Sequence, residues 1–219
     1  MASTESLLAG TVGLVPLVGR EPVVYATFRE RPLFLSAVHA MSAAGVGHVL
    51  VLAGPEQRAS AAEALRGSPA AELVECPAGE SQVRESVSAG DSVVVHEPLC
   101  PLVPASVLRH AVASREAGTA SVAVLDVVDT VKATRDGVVR STLDRSALRI
   151  VASPVVLSGA HLQDLPDLTA ALSRPASLVA ALAGRCPVRI TAASPLSVRV
   201  EDASSLGVLA AFGALTTAG

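Results

Sequence analysis

Short apolar runs rich in valine and leucine recur along the first 125 residues, and segments with helical periodicity separate them. Strands that are apolar on both faces must be covered on both faces, and long connections place successive strands parallel. The pattern therefore predicts an α/β fold with a doubly wound, mostly parallel sheet. The predicted strands cover residues 11–18, 48–53, 72–76, 92–96 and 120–125, and the helices cover residues 33–44, 57–65, 81–89 and 104–117.

The pattern changes after Asp126, where residues 127–145 alternate with period two around Asp136 and Gly137. An Asp-Gly pair between alternating strands is a strong hairpin signal, so a β-arm over residues 127–154 is predicted to leave the sheet. A two-stranded arm has no core of its own, which predicts a homodimer joined through the arm.

We expect one domain over residues 1–219. Beyond the arm the predicted elements are a helical stretch from residue 158, a helix at 176–183, strands at 188–191 and 197–200, and a helix at 204–215.

Composition excludes several classes of function. The 17 basic and 20 acidic side chains give a net charge of −3, which excludes nucleic-acid binding by bulk charge. No apolar run approaches the roughly 18 residues of a membrane span. No basic region precedes the first apolar stretch, so the chain has no secretory signal pattern and is expected to be cytoplasmic. Cys76, Cys100 and Cys186 are far apart and odd in number, which predicts free thiols and argues against a structural zinc site.

Ligands of open α/β sheets bind at the carboxyl ends of the strands. The loop after the first strand has neither of the common glycine-rich phosphate motifs, and the sequence has no GxSxG elbow. The loop after residues 92–96 begins His96-Glu97-Pro98, which puts a carboxylate where a divalent cation could meet a phosphate. The alternative is a proline-shaped turn with an exposed Glu97. His96 is better explained as a strand-end side chain than as a ligand.

Five segments, in order, resemble the 2-C-methyl-D-erythritol 4-phosphate cytidylyltransferases, over about 190 residues in register. Residues 91–104 resemble the family pattern D-x-V-L-V-H-D-A-A-R-P-L-V-P, and residues 127–132 resemble V-x-D-T-I-K. Residues 139–154 resemble V-x-x-T-V-D-R-S-x-L-W-x-x-Q-T-P. Within residues 31–46, the first four resemble R-P-L-L and the last four resemble A-A-G-V. Residues 195–206 resemble P-x-N-I-K-I-T-T-P-E-D-L.

The resemblance implies a Rossmann-like nucleotidyltransferase of the non-mevalonate isoprenoid pathway. Such an enzyme joins CTP to methylerythritol phosphate and releases pyrophosphate, with Mg²⁺ as cofactor. The resemblance aligns Glu97 with the metal-site aspartate and Arg199 with a catalytic lysine, and it leaves Arg20 as a catalytic cation. It places Thr130 and Arg145 on the arm, where the family's residues reach the substrate bound by the other subunit. It also implies nucleotide contacts at Gly19 and Ser86.

The nucleotide loop departs from the family pattern P-A-A-G-x-G-x-R-x-G-x-x-x-P-K. Here the stretch is shorter by about six residues, and only Gly19 and Arg20 match it. Val23 stands at the position of the loop lysine and Cys100 at that of the arginine that follows the metal-site aspartate. Lys132, the only lysine in the chain, aligns with the arm. Removing one donor aimed at developing charge costs about 10²- to 10³-fold in rate, so catalysis is expected to be impaired or lost.

Three functions remain open at this point. One is a working cytidylyltransferase. Another is a non-catalytic homologue that uses the fold and the arm as a binding or dimerisation module. The third is a nucleotidyltransferase for another polyol phosphate, since the pocket loops diverge. CTP and a sugar or polyol phosphate are partners only if the chain is active.

Overall fold

The computed structural model describes Leu8, residues 10–68 and residues 70–216. Residues 1–7, for which the sequence predicts no secretory signal, lie outside the described residues. Within the described part the strands are β1 (Thr11–Pro16), β2 (Thr27–Phe28), β3 (Arg31–Pro32), β4 (His48–Ala53), β5 (Ala71–Glu75), β6 (Ser92–Val95), β7 (Ala120–Asp126), β8 (Lys132–Arg135), β9 (Val138–Thr142), β10 (Arg149–Ser158) and β11 (Val188–Ala192).

The helices lie in the connections between these strands. They are α1 (Leu35–Ala44), α2 (Arg58–Ala64), α3 (Glu80–Glu85), α4 (Ala105–Ala113), α5 (Gly159–Gln163), α6 (Leu168–Leu172), α7 (Pro175–Ala183) and α8 (Ser205–Thr216). Helix α1 ends at Gly45, whose φ of +95° is a left-handed conformation that glycine adopts without strain. The glycine therefore fixes the turn into β4.

Seven strands form the main sheet in the order β11-β7-β10-β6-β1-β4-β5. All neighbours are parallel except those of β10, which runs antiparallel to both β6 and β7. The prediction of a doubly wound, mostly parallel sheet is confirmed. The order reverses at β1, so the carboxyl ends of β1, β4 and β6 meet at the switch point where such sheets bind ligands.

Two apolar clusters cover the two faces of the sheet. Helices α1 and α4 pack on one face through buried side chains such as Val38, Met41 and Leu108. Helices α5, α6 and α7 cover the other face, with Leu162 and Leu178 fully buried in the second cluster. The two-sided coverage explains why β1 is buried along its whole length.

The arm forms where the period-two alternation predicted it. Strands β8 and β9 pair antiparallel, and the two turn residues Asp136 and Gly137 have φ values of +53° and +73°. Two residues with positive φ are what a type I′ hairpin requires. The returning chain becomes β10, which enters the main sheet between β6 and β7. The arm therefore projects from the centre of the sheet and not from an edge.

Three sequence-based elements differ from the structure. No strand forms at residues 197–200, which run as irregular chain. The helix predicted at residues 104–117 ends at Ala113, because the following residues turn into β7. The helical stretch after residue 158 is divided into two short helices, α5 and α6, before the predicted helix that forms as α7, and this division places α6 near the functional site. No helix of the described residues is long and apolar enough to cross a membrane. The cytoplasmic location stays a prediction.

Candidate functional site

The short loop after β1 turns Arg20 into the protein. Gly19 has a φ of +77° and is exposed, and the Arg20 N–H donates to the carbonyl of Leu17 at 3.1 Å. This tight turn stands where the family pattern has a longer glycine-rich segment. Arg20 is 3% exposed although it lies in a loop. The cation predicted to face a nucleotide therefore points inward.

Arg20 forms a buried ion pair with Glu97, which follows β6. Nε donates to one carboxylate oxygen at 2.8 Å and Nη2 donates to the other at 2.9 Å, and each side chain is 1% exposed. The Leu99 N–H also approaches the carboxylate, at 3.3 Å. A bidentate guanidinium–carboxylate pair is the strongest common ionic contact in proteins. The two residues that the sequence singled out therefore lie together, but their charged groups bind each other instead of a phosphate and a metal ion.

Two backbone carbonyls complete the surroundings of the guanidinium. Nη1 donates to the carbonyl of Val18 at 2.9 Å, and Nη2 donates to the carbonyl of Leu172, in α6, at 3.0 Å. Four guanidinium N–H groups, one on Nε, one on Nη1 and two on Nη2, therefore have acceptors inside the protein. Little hydrogen-bonding capacity remains for a bound phosphate.

Helix α6 is held at this position by Glu80. The Glu80 carboxylate accepts from the backbone N–H groups of Leu168 and Thr169, at 3.3 and 2.8 Å, and from the Thr169 hydroxyl at 2.5 Å. Partial burial raises the pKa of Glu80, but these hydrogen bonds outweigh it and hold the pKa below its usual value. The carboxylate therefore stays ionised and anchors the start of the helix.

Helix α6 fills the carboxyl edge of the sheet next to β1. A cavity of about 10 Å³ lies between α6 and the ends of β1 and β4, lined in part by Pro16, Leu52 and Leu168. A second cavity of about 10 Å³ borders Arg20, Glu97 and Leu172. Each holds roughly one water molecule. The switch point, where a nucleotide would be expected, is occupied by the protein itself.

His96 is linked to the backbone of Glu97 through the hydroxyl of Ser153. Its Nδ1 lies 2.6 Å from the Ser153 hydroxyl, and that hydroxyl oxygen accepts the Glu97 N–H at 2.9 Å. Complete burial lowers the pKa of His96 to about 4, so the ring is neutral at neutral pH. The ring is a buried side chain at the end of β6, which agrees with the interpretation of His96 as a strand-end residue.

The residues around Glu97 do not fit a magnesium ion. Mg²⁺ requires near-octahedral oxygen ligands at about 2.0–2.1 Å and usually keeps several waters. Both Glu97 oxygens face the Arg20 guanidinium, and the pair is closed to solvent. In residues 10–68 and 70–216 no group of three or more His, Cys, Asp or Glu side chains is placed to hold a metal. Magnesium binding would require Arg20 to leave.

A larger cavity of about 340 Å³ lies on the other side of Glu97. It contains Arg199, whose Nη1 donates to Glu201 at 2.6 Å, and it reaches Cys100. Burial tends to lower the pKa of Arg199, but the hydrogen bond to Glu201 and the charge of Glu97 together raise it. Burial and the nearby Glu97 raise the pKa of the Cys100 thiol, so it is protonated and unreactive.

The remaining predicted residues lie apart from this centre. Thr130 and Arg145 are exposed on the arm, and the Arg145 guanidinium donates to the carbonyl of Val128. Ser86 caps the end of α3 and is half-buried. It lines none of the three cavities described above. The roles of Gly19, Ser86, Thr130 and Arg145 stay predictions.

Sequence reasoning missed three components of the site. The Leu172 carbonyl and α6 carry no residue-type signal, because a backbone oxygen is present at every position. Glu201 is two residues from Arg199, and this spacing alone does not indicate an ion pair. The sequence predicts a strand at Ser197, but this residue lines the 340 Å³ cavity instead.

Comparisons with known proteins agree with the sequence resemblance. A family model described as IspD: 2-C-methyl-D-erythritol 4-phosphate cytidylyltransferase matches residues 17–200. A 2-C-methyl-D-erythritol 4-phosphate cytidylyltransferase of Nocardia farcinica is 31% identical over 87% of this chain and 92% of its own.

Solved structures are similar in fold. A crystal structure of 4-diphosphocytidyl-2C-methyl-D-erythritol synthase superposes with a TM-score of 0.75 at 18% identity, over 92% of this chain and 96% of the other. The 2-C-methyl-D-erythritol 4-phosphate cytidylyltransferase of Thermus thermophilus superposes with a TM-score of 0.71 at 23% identity, over 92% and 98% of the two chains. At these identities the likeness establishes the fold alone.

Proposed function

We propose that this chain, which belongs to the 2-C-methyl-D-erythritol 4-phosphate cytidylyltransferase family, has lost cytidylyl transfer from CTP to a polyol phosphate. In this proposal it keeps the fold and the arm as a dimeric binding module. The observation that carries the proposal is the buried pair between Arg20 and Glu97. The pair joins the loop that would hold the triphosphate to the carboxylate that would hold the metal.

The charge requirement of a nucleotide supports the proposal. A triphosphate carries about four negative charges and needs several N–H groups together with cations. The loop after β1 offers Arg20, which is already neutralised by Glu97, and Glu21, which has the same sign as the phosphate. Binding would therefore have to break a buried ion pair before any new contact formed. Breaking such a pair by removing one partner costs about 3–5 kcal/mol.

The position of α6 adds a steric reason. The Leu172 carbonyl bonds to Arg20, and Leu168 packs against the ends of β1 and β4. A nucleotide at the switch point would have to displace the helix. Its anchor at Glu80 is made of three hydrogen bonds, so displacement is not a side-chain adjustment.

Calorimetric titration of CTP with Mg²⁺ tests the proposal. We expect no saturable heat at millimolar CTP, because the phosphate and metal sites are filled by Arg20, Glu97 and α6. An active cytidylyltransferase, for methylerythritol phosphate or for another polyol phosphate, must bind the nucleotide. Saturable binding in the micromolar to millimolar range expected of an enzyme substrate would contradict the proposal. Titration of Mg²⁺ alone serves as the control for binding of the metal by surface carboxylates.

The dimer is a second part of the proposal, and the exposed apolar side chains of the arm support it. Val128 is 74% exposed, Val139 59% and Leu143 42%. Sedimentation at micromolar concentration is expected to give twice 22.1 kDa. Val139→Asp should shift this equilibrium to the monomer by placing a charge in the interface. The matched control is Val208→Asp, at a valine of α8 that is at least as exposed but lies outside the arm. A monomeric unmodified protein would refute this part.

A further inference from the structure

We infer that the 340 Å³ cavity beside Arg199 is a binding site for an uncharged small molecule with an apolar body and a hydroxyl or carbonyl oxygen. This inference rests on the proposed function, because it concerns the ligand that the site takes once cytidylyl transfer is lost. The volume lies in the range of about 300–1,000 Å³ typical of small-molecule sites.

The charges around the cavity balance. Glu97 is paired with Arg20, and Arg199 is paired with Glu201 at 2.6 Å. The Cys100 thiol stands where the sequence resemblance expects an arginine, and it adds no charge. A phosphate dianion would therefore enter a site in which the lining cation, Arg199, already has a carboxylate partner, and the carboxylates of Glu97 and Glu201 would lie nearby.

The walls are largely apolar. Aliphatic side chains and proline supply most of the lining, and they come from the end of β7, the start of β10, the start of α7 and the irregular segment near residue 198. These residues are Leu125, Ile150, Val151, Ala152, Pro175 and Val198. Ile150 and Val198 are 50% and 45% exposed, so apolar surface lies open at the rim. Covering such surface with an apolar ligand stabilises the complex by about 25 cal/mol per Å².

One polar group in the lining has no partner. Ser197 is only 3% exposed, and its hydroxyl has no hydrogen-bond partner among the side chains and backbone that the structure describes. Its own carbonyl receives the weak bond from the Cys100 thiol at 3.8 Å. Leaving a buried hydroxyl unpaired is unfavourable, so a ligand oxygen that meets it gains affinity. Arg199 has further N–H groups beyond the one bound to Glu201, and these can donate to the same oxygen.

A matched pair of probes separates charge from shape. Cyclohexanol and cyclohexyl phosphate share the same six-carbon ring and differ in the phosphate. The chain contains two isoleucines, Ile150 in the cavity lining and Ile190 on β11. Labelling isoleucine δ1 methyl groups with ¹³C therefore gives one reporter of the cavity and one internal control, assigned with Ile190→Val. The full-length protein is titrated without nucleotide.

Cyclohexanol is expected to move the Ile150 signal saturably and to leave the Ile190 signal in place. Cyclohexyl phosphate is expected to bind at least about tenfold more weakly, because its charge meets no free cation in the cavity. Tighter binding of cyclohexyl phosphate than of cyclohexanol would overturn the inference. If Arg145→Ala then abolished that binding, the phosphate would be bound by Arg145 on the arm of a second copy. Absence of a saturable Ile150 shift with cyclohexanol would also overturn the inference. Neither result bears on the CTP titration, so failure of this inference is distinguishable from failure of the proposed function.

Glu201→Gln tests the charge balance directly. The change releases Arg199 from its partner and should tighten cyclohexyl phosphate binding by roughly tenfold, while cyclohexanol binding changes by less than about twofold. Glu56→Gln makes the same charge change at an exposed position outside the cavity and should alter neither. Equal effects of the two variants on the phosphate would overturn the inferred charge balance, because net charge and not the pair at Arg199 would then set the preference.

Discussion

Replacement of Arg20 by methionine is expected to lower the free energy of unfolding by about 3–5 kcal/mol, because it leaves the Glu97 carboxylate buried without a counter-ion. Both side chains are 1% exposed, so solvent screening offers little compensation. The Leu172 and Val18 carbonyls would lose their donor as well. Urea denaturation monitored by far-ultraviolet circular dichroism measures the change, provided that the m-value is unaltered.

Two further variants distinguish the ion pair from general loss of packing. The double variant Arg20→Met with Glu97→Gln should be more stable than Arg20→Met alone, since no buried charge remains unpaired. Arg199→Met is the matched control, because Glu201, its partner, is 72% exposed, and it should cost less than about 1 kcal/mol. A loss below about 1 kcal/mol in Arg20→Met would mean that the pair is not closed in solution.

The fold was predictable because its signals are local. The strands β1, β4 and β6 are uninterrupted apolar runs, and the Asp136-Gly137 turn needs only two residues to be recognised. The irregular course of residues 197–200 was not predictable from the alternation in its sequence. Part of that segment lines a cavity and contacts the Cys100 thiol, so tertiary contacts override its strand propensity.

The two charged residues at the centre of the site were predictable, but their arrangement was not. Residue type and position identified Glu97 at the carboxyl edge of the sheet, and the family resemblance identified Arg20 in the loop after β1. Their pairing joins positions 77 residues apart, and it depends on a loop short enough to turn Arg20 inward. Sequence reasoning assigned each residue to a ligand of opposite charge, phosphate for one and a cation for the other. The structure satisfies both charges with one internal contact.

Turnover of CTP and methylerythritol phosphate is expected to fall at least about 10⁴-fold below the 1–10³ s⁻¹ typical of enzymes. The sequence resemblance puts Val23 and Cys100 at positions where the family has a lysine and an arginine. Each missing donor costs about 10²- to 10³-fold, and the losses multiply when the groups act independently. Pyrophosphate release in a coupled assay measures the rate.

Restoring one charge should not restore the reaction. Val23→Lys alone is expected to recover little activity, because Arg20 remains paired with Glu97 and α6 still fills the edge of the sheet. Transition-state stabilisation requires groups fixed where charge develops, and a lysine on a short remnant of the loop is not so fixed. A full-length glycine-rich loop grafted together with Cys100→Arg should recover more, since it moves Arg20 away from Glu97 and supplies both cations. Val208→Lys adds the same charge on α8 and should recover nothing. Turnover at about 1–10³ s⁻¹ by the unmodified protein would contradict this prediction, and another cation, Arg20 or Arg29, would then have to replace the lysine.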